Sequence, residues 1–264
     1  MDHEPLFRAI ADRLRPEPGL AALFLAGSHG AGTADRFSDI DLVAVADAGH
    51  HGPVAALWRE VLESLHPVVF WNERRGRGIL LNAISEDWLR CDLHIVARDD
   101  LAGRCRATLR PLFDRAGVYD ALPATLPPAQ PDPERVRRSI DEFIRVLGLM
   151  TVGIGRGEYV TMVKGVGLLR DLLTDLMLEE CPLPDRGGVL HLSRLLPPER
   201  MAQLQALPWP GPERDALIAA NLAIAEAFFP LARRLARDLA VAWPERFEAA
   251  TRRHLQKELG VAFR

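Results

Sequence analysis

Apolar positions in the first 120 residues change their period several times. Over Pro5–Arg15 they fall at helical spacing (Leu6, Ile10, Leu14), and Pro16 and Pro18 end that helix before an apolar run of strand length, Leu20–Ala26. A loop of small residues follows, Gly27-Ser28-His29-Gly30-Ala31-Gly32. Ser38–Ala46 then reads as a second strand, alternating at first and continuously apolar later. Val54–Leu65 has the spacing of an amphipathic helix, Val68–Trp71 reads as a strand, Asn72–Gly78 as a turn, and Ile79–Ile84 and Leu89–Val96 as two further strands. The pattern predicts a mixed α/β first half.

The pattern then breaks. Ala121–Pro133 holds five prolines and almost no charge, which suits a stiff extended connection rather than a helix or a central strand. Beyond it the spacing is helical over Glu134–Val152, Glu158–Glu180, Pro198–Ala206, Pro212–Val241 and Pro244–Leu259, with prolines at helix starts where they are tolerated. This predicts a domain over residues 1–120, a linker over 121–133 and an all-α bundle over 134–264, with Phe143–Met150 and Leu217–Leu235 in its core.

Composition narrows the partners. At 48% hydrophobic and 26% charged residues the chain is in the globular range, which excludes wholesale disorder. The 33 basic and 36 acidic residues leave a net charge of -3 with no basic half, so no nucleic-acid partner is expected. Cys91, Cys105 and Cys181 stand far apart in no metal-ligand spacing, which argues against a disulfide framework and a structural zinc. Charges at Asp2, Glu4, Arg8, Asp12 and Arg13 interrupt any signal-peptide core, and the charge-free stretch Val146–Gly155 is about half a membrane span. The expectation is a cytoplasmic protein with no membrane partner.

The chemistry concentrates in Leu23–Val45. Residues i and i+2 of a strand point to one side, so Asp39 and Asp41 project together, roughly 7 Å apart, while Ile40 and Leu42 face the other way. Two carboxylates this close repel unless a cation neutralises them, and Mg²⁺ shared with substrate phosphates is the usual answer. Gly27 lets a backbone approach a ligand closely, and the Ser28 hydroxyl with neighbouring N–H groups can hold phosphate oxygens. On a later strand Asp92 and His94 share one face, and Asp92 supplies a third acid.

Gly27-Ser28 followed ten residues later by Ser38-Asp39-Ile40-Asp41-Leu42, with a third acid on another strand, resembles the DNA polymerase β-type nucleotidyltransferase superfamily. The resemblance implies an α+β fold, in which a nucleotidyltransferase domain with a mixed sheet and helices precedes the helical bundle. It implies Asp39, Asp41 and Asp92 as catalytic metal ligands, two Mg²⁺ ions, Gly27 and Ser28 on the triphosphate of ATP or another nucleoside triphosphate, and Asp92 as metal ligand or base. Asp92-Leu93-His94-Ile95 and Arg156-Gly157-Glu158-Tyr159 also resemble the bacterial antibiotic nucleotidyltransferases, particularly the lincosamide group. That branch implies transfer of a nucleoside monophosphate, AMP first, to a hydroxyl of a small molecule, with pyrophosphate released. Aminoglycosides are the alternative acceptor, and a regulatory protein-modifying nucleotidyltransferase is the rival reading. The implied partners are the nucleoside triphosphate and the acceptor, in a monomer or a homodimer.

The remaining candidates each have a plain structural alternative. His29 and Arg170 are candidate nucleotide ligands; so is Lys164, which also shares a helical face with Asp171 and Asp175. Glu158 and His94 are candidate acceptor contacts, Glu158 alternatively serving the start of its helix. Arg74, Arg75 and Arg77 read as a solvated hairpin tip.

Overall fold

The computed structural model describes residues 3–183 and 189–263. The chain divides into two compact units, Met1–Pro127 and Pro128–Arg264. Both ends of the proline-rich segment are held by their own unit. The Pro123 and Ala124 carbonyls accept from the backbone N–H groups of Arg106 and Ala107, and the Ala129 N–H donates to the Pro182 carbonyl.

In the first unit α1 (Glu4–Leu14), β1 (Leu20–Leu25) and a single helical turn α2 (Gly27–Gly30) lead to β2 (Ile40–Ala46) and α3 (His51–Leu65). The meander β3 (Val68–Arg75), β4 (Ile79–Ser85), β5 (Arg90–Val96) follows, and then β6 (Arg110–Asp114) and the short α4 (Val118–Ala121). The six strands form one mixed sheet in the order β3-β4-β5-β2-β1-β6, in which β2 and β5 pair in parallel and the other neighbours antiparallel.

Alternation in the strands assigns the two faces. Ile40, Leu42, Ala44 and Ala46 of β2 and Cys91, Leu93 and Ile95 of β5 are buried on one face with Phe7, Ile10 and Leu14 of α1 and Trp58 and Leu62 of α3. Val43, Val45 and Val96 belong to a smaller cluster on the opposite face with Phe24, Leu109 and Val118. Asp41, Asp92 and His94 therefore lie on this second face.

Three local expectations change. Residues 72–75 are strand, not turn: Asn72, Glu73, Arg74 and Arg75 pair with Asn82, Leu81, Leu80 and Ile79, leaving Gly76-Arg77-Gly78 as the turn. Their polarity suits an edge strand, where charge discourages further pairing. The loop after β1 is a helical turn, closed by N–H donation from Gly30 to the Ala26 carbonyl and from Ala31 to the Gly27 carbonyl. β6 carries Pro111 on the other edge of the sheet, where a proline is tolerated, and its pattern does not reveal it.

The second unit consists of α5 (Pro133–Gly155), α6 (Tyr159–Glu179), α7 (Leu192–Leu195), α8 (Pro198–Ala206), α9 (Arg214–Asp238) and α10 (Glu245–Leu259). Asp132 caps α5 by accepting from the N–H groups of Glu134 and Arg135. Phe143 of α5 stacks on Phe228 of α9 at 3.7 Å between ring centroids, in a core shared by α5, α6, α9 and α10. Among the described residues α9 is the one helix long and apolar enough to cross a membrane by length and composition, rather than the stretch around Val146. Its Leu217, Ile224, Phe228 and Leu235 are buried in this core.

Candidate active site

The parallel register sets Asp41 of β2 directly opposite Asp92 of β5. Asp39 sits one residue before β2, and its Oδ2 lies 3.3 Å from Nη1 of Arg90 at the start of β5. Nη2 of the same guanidinium donates to the Phe37 carbonyl at 3.1 Å, so Arg90 ties the approach to β2 against β5. The approach is itself a side-chain turn: Asp35 Oδ1 accepts from the Phe37 N–H at 2.9 Å and from the Ser38 hydroxyl at 3.2 Å. Ser38 thus belongs to the turn that delivers Asp39.

The Gly27 turn closes on Asp41. Ala26 donates its N–H to the Asp41 carbonyl at 2.8 Å, and Gly27 follows at φ +54°. A Cβ at Gly27 would meet Asp41 Oδ2 at 2.1 Å, so the carboxylate occupies the space that any other residue would fill. As the first residues of a helical turn, Gly27, Ser28 and His29 present N–H groups with no intrahelical acceptor. The Ser28 Oγ is buried and has no hydrogen-bond partner among the described residues.

Negative charge accumulates here, with Arg90 and Arg104 beside it. Burial, then Asp39 and Asp92, push the Asp41 carboxyl up to about 6 against the pull of Arg90 and Arg104. Burial also raises Asp92, opposed by the Asn82 amide and reinforced by Asp39. His94 is held below its ordinary value by burial and then by Arg104, whose Nη2 lies 3.3 Å from His94 Nδ1; the ring is kept neutral.

The donor set fits a hard divalent cation. All three acids are carboxylates at one end of the β2–β5 pair, Asp41 is raised by burial and then by its neighbours, and an orphaned hydroxyl and a Cβ-free turn adjoin it. Among the described residues no three ligating side chains are grouped closely enough to hold an ion by themselves.

No family model matches the chain, and no curated protein matches it. Among solved structures the chain is similar to an aminoglycoside 6-adenyltransferase from Bacillus subtilis, at 12% identity over 96% of this chain and 97% of that one, with a TM-score of 0.46. The chain resembles solved nucleotidyltransferases. It is similar to a nucleotidyltransferase-like protein from Exiguobacterium sibiricum at 16% identity, covering 98% of this chain and 89% of that chain with a TM-score of 0.39. A CCA-adding enzyme from Thermotoga maritima complexed with tRNA is matched at 14% identity, covering 96% and 69% of the two chains with a TM-score of 0.35.

Other predicted residues have different surroundings. The His29 ring packs edge-on against Phe7 at 5.0 Å and lies 5.5 Å from the His3 ring. Its side chain is thereby turned to α1, and only its backbone N–H remains with the turn. Arg170 is buried and its guanidinium is committed: Nη1 donates to the Leu204 carbonyl at 2.9 Å, Nη2 to the Pro208 carbonyl at 2.6 Å, and the group lies 3.6 Å from the Trp209 ring centroid. This corrects its assignment as a nucleotide ligand, because its donors seal the C-terminal end of α8. Lys164 is exposed and has no ion-pair partner among the described residues, so it makes no salt bridge with Asp171 or Asp175 on its helical face. Glu158 is exposed at the N-cap of α6 and makes no side-chain cap bond. Gly157, at φ +71°, stops α5: its N–H goes to the Ile154 carbonyl and that of Glu158 to the Gly153 carbonyl, a Schellman pairing.

Three site residues escape sequence reasoning. Asn82 of β4 stands opposite Asp92 and donates Nδ2–H to its Oδ2 at 2.7 Å; Asn72 of β3 stands opposite Asn82 and donates to its Oδ1 at 3.2 Å. Arg90 pairs with Asp39. The available signal was Asn82, an amide interrupting the apolar run Ile79–Ile84.

Proposed function

We propose that the chain is a Mg²⁺-dependent nucleotidyltransferase that moves a nucleoside monophosphate, AMP from ATP in the first instance, to a hydroxyl of a small molecule and releases pyrophosphate. The observation that carries this reading is the registered pair Asp41 and Asp92 beside a Gly27 turn whose missing Cβ is the space Asp41 occupies. Asp39, Asp41 and Asp92 would hold the cation, and the Ser28 hydroxyl with the N–H groups of the turn would hold the triphosphate. When bound, the metal polarises the α-phosphate and neutralises charge on the leaving oxygens. Asp92, raised by burial, takes the proton of the attacking hydroxyl; His94, held neutral beside it on β5, is positioned for the acceptor rather than for a phosphate.

The acceptor class follows the resemblance of Asp92-Leu93-His94-Ile95 to the lincosamide group, with aminoglycosides second. The test is Mg²⁺-dependent pyrophosphate release from ATP and GTP, measured with and without a panel of lincosamides and aminoglycosides. Release that requires a panel member, and mass addition of one nucleoside monophosphate to it, is the expected result. Absence of release with every acceptor from a protein that binds Mg²⁺ and ATP would exclude this acceptor class.

A further inference from the structure

Beyond the three acids, a row of side chains crosses four strands in register, Asn72 on β3, Asn82 on β4, Asp92 on β5 and Asp41 on β2. Its hydrogen bonds have a direction. An amide can face a carboxylate with its NH₂ or with its oxygen, and the two orientations differ by the full change from attraction to repulsion. Asn82 Oδ1 is already taken, since Asn72 Nδ2 donates to it at 3.2 Å and Arg74 Nη2 approaches it at 3.5 Å. Its Nδ2 is therefore left facing Asp92 Oδ2, at 2.7 Å.

We propose that Asn82 is a positioning residue for Asp92, with Asn72 fixing the orientation of its amide. The relay engages Oδ2 of Asp92 within the sheet and leaves Oδ1 as the oxygen that meets the metal or the acceptor hydroxyl. This rests on the nucleotidyltransferase reading but adds two residues to it, one of them a full strand beyond the acids. Groups that orient a ligating carboxylate typically change metal affinity or activity by about 10–100-fold when removed.

The decisive pair of variants lies at Asn72, remote from the acids. Asn72→Ser keeps a hydroxyl donor for Asn82 Oδ1, whereas Asn72→Asp offers only acceptors and favours an Asn82 amide turned round, with its oxygen against Asp92. Three measurements on the full chain apply: Mn²⁺ affinity of the free protein, thermal midpoint, and kcat and nucleotide KM where transfer is observed. Asn72→Asp and Asn82→Ala should each weaken Mn²⁺ binding by about tenfold and lower kcat by about 10–100-fold, with nucleotide KM within about threefold of wild type. Asn72→Ser should stay within about threefold of wild type on every measure, and Asn72→Asp combined with Asn82→Ala should be no worse than Asn82→Ala alone.

Folded Asn72→Asp and Asn82→Ala proteins with wild-type Mn²⁺ affinity would overturn the relay, as would equal losses in Asn72→Ser and Asn72→Asp. If Asn72→Asp fails to fold, the comparison of Asn82→Ala with Asn72→Ser decides by the same criteria. Failure of the parent reading has a separate signature: Asp39→Asn and Asp41→Asn would then bind Mn²⁺ as wild type does.

Discussion

Replacing Asp41 by asparagine should stabilise the metal-free protein while removing its chemistry. The Asp41 carboxyl is lifted from an ordinary 3.8 to about 6, first by burial and then by Asp39 and Asp92. At about 1.4 kcal/mol per pH unit this displacement corresponds to about 3 kcal/mol at neutral pH, and solvent screening of a side chain only partly buried brings it to about 1–2 kcal/mol. The sign follows from the protons. Between about pH 4 and 6 the folded protein holds a proton that the unfolded chain releases, so stability falls as pH rises through that window. The penalty is absent below about pH 4 and complete above about pH 6. The amide of the Asp41→Asn variant is neutral throughout, so the difference in stability between variant and wild type should be near zero at pH 4 and reach about 1–2 kcal/mol at pH 8. For a chain of this size that is a rise of about 3–6 °C in melting midpoint. Thermal melts at pH 4, 6 and 8 with chelator present read it directly. Saturating Mg²⁺ should then raise wild type and leave the variant little changed, which closes the gap. A variant that melts at or below wild type at pH 8 without metal, or a gap independent of pH, would refute the reasoning.

Asp39→Asn and Asp41→Asn should both abolish pyrophosphate release while retaining the circular dichroism of wild type. Gly27→Ala should cost about 1–3 kcal/mol in denaturant melts and at least a hundredfold in activity, because its Cβ meets Asp41 Oδ2 at 2.1 Å from a backbone already at φ +54°. Ser28→Ala deletes a buried hydroxyl with no partner among the described residues, so stability should hold or rise slightly; the efficiency of nucleotide use should drop by about tenfold to a hundredfold in steady-state kinetics. Arg170→Ala should destabilise the second unit by about 2–4 kcal/mol, since it strips donors from the Leu204 and Pro208 carbonyls, and leave nucleotide KM unchanged.

Asp41, Asp92 and His94 were legible as one face because strand alternation is local, whereas Asp39 stands one residue before β2 and alternation does not place it. Gly27 was legible as a close approach, though not what approaches it. Asn72 and Asn82 were not legible, because pairing them requires the correct turn. A seven-residue turn over 72–78 removes Asn72 from the sheet, whereas the actual turn of Gly76-Arg77-Gly78 sets it opposite Asn82. Arg170 misled for a related reason. A cation on an amphipathic helix reads as solvent-facing, and the carbonyls that bury it lie 34 and 38 residues further on. Arg156-Gly157-Glu158-Tyr159 carried a family likeness, and its glycine is accounted for by the end of α5.

The sheet order also bears on how the site comes into being as the chain folds. Asn72 and Asn82 are ten residues apart, and so are Asn82 and Asp92, so the meander can assemble that part of the row through short loops. Asp41 joins across the seam between β2 and β5, the only parallel pair among the described strands, with about fifty residues and all of α3 between the two acids. Closing that seam carries a larger loop entropy than the meander and confronts two carboxylates that repel, so the electrostatic cost of the site falls on a non-local contact. On the proposed reading, a divalent cation held by these carboxylates would offset their repulsion across the closed seam, so that the ion would stabilise the fold as well as serve the reaction.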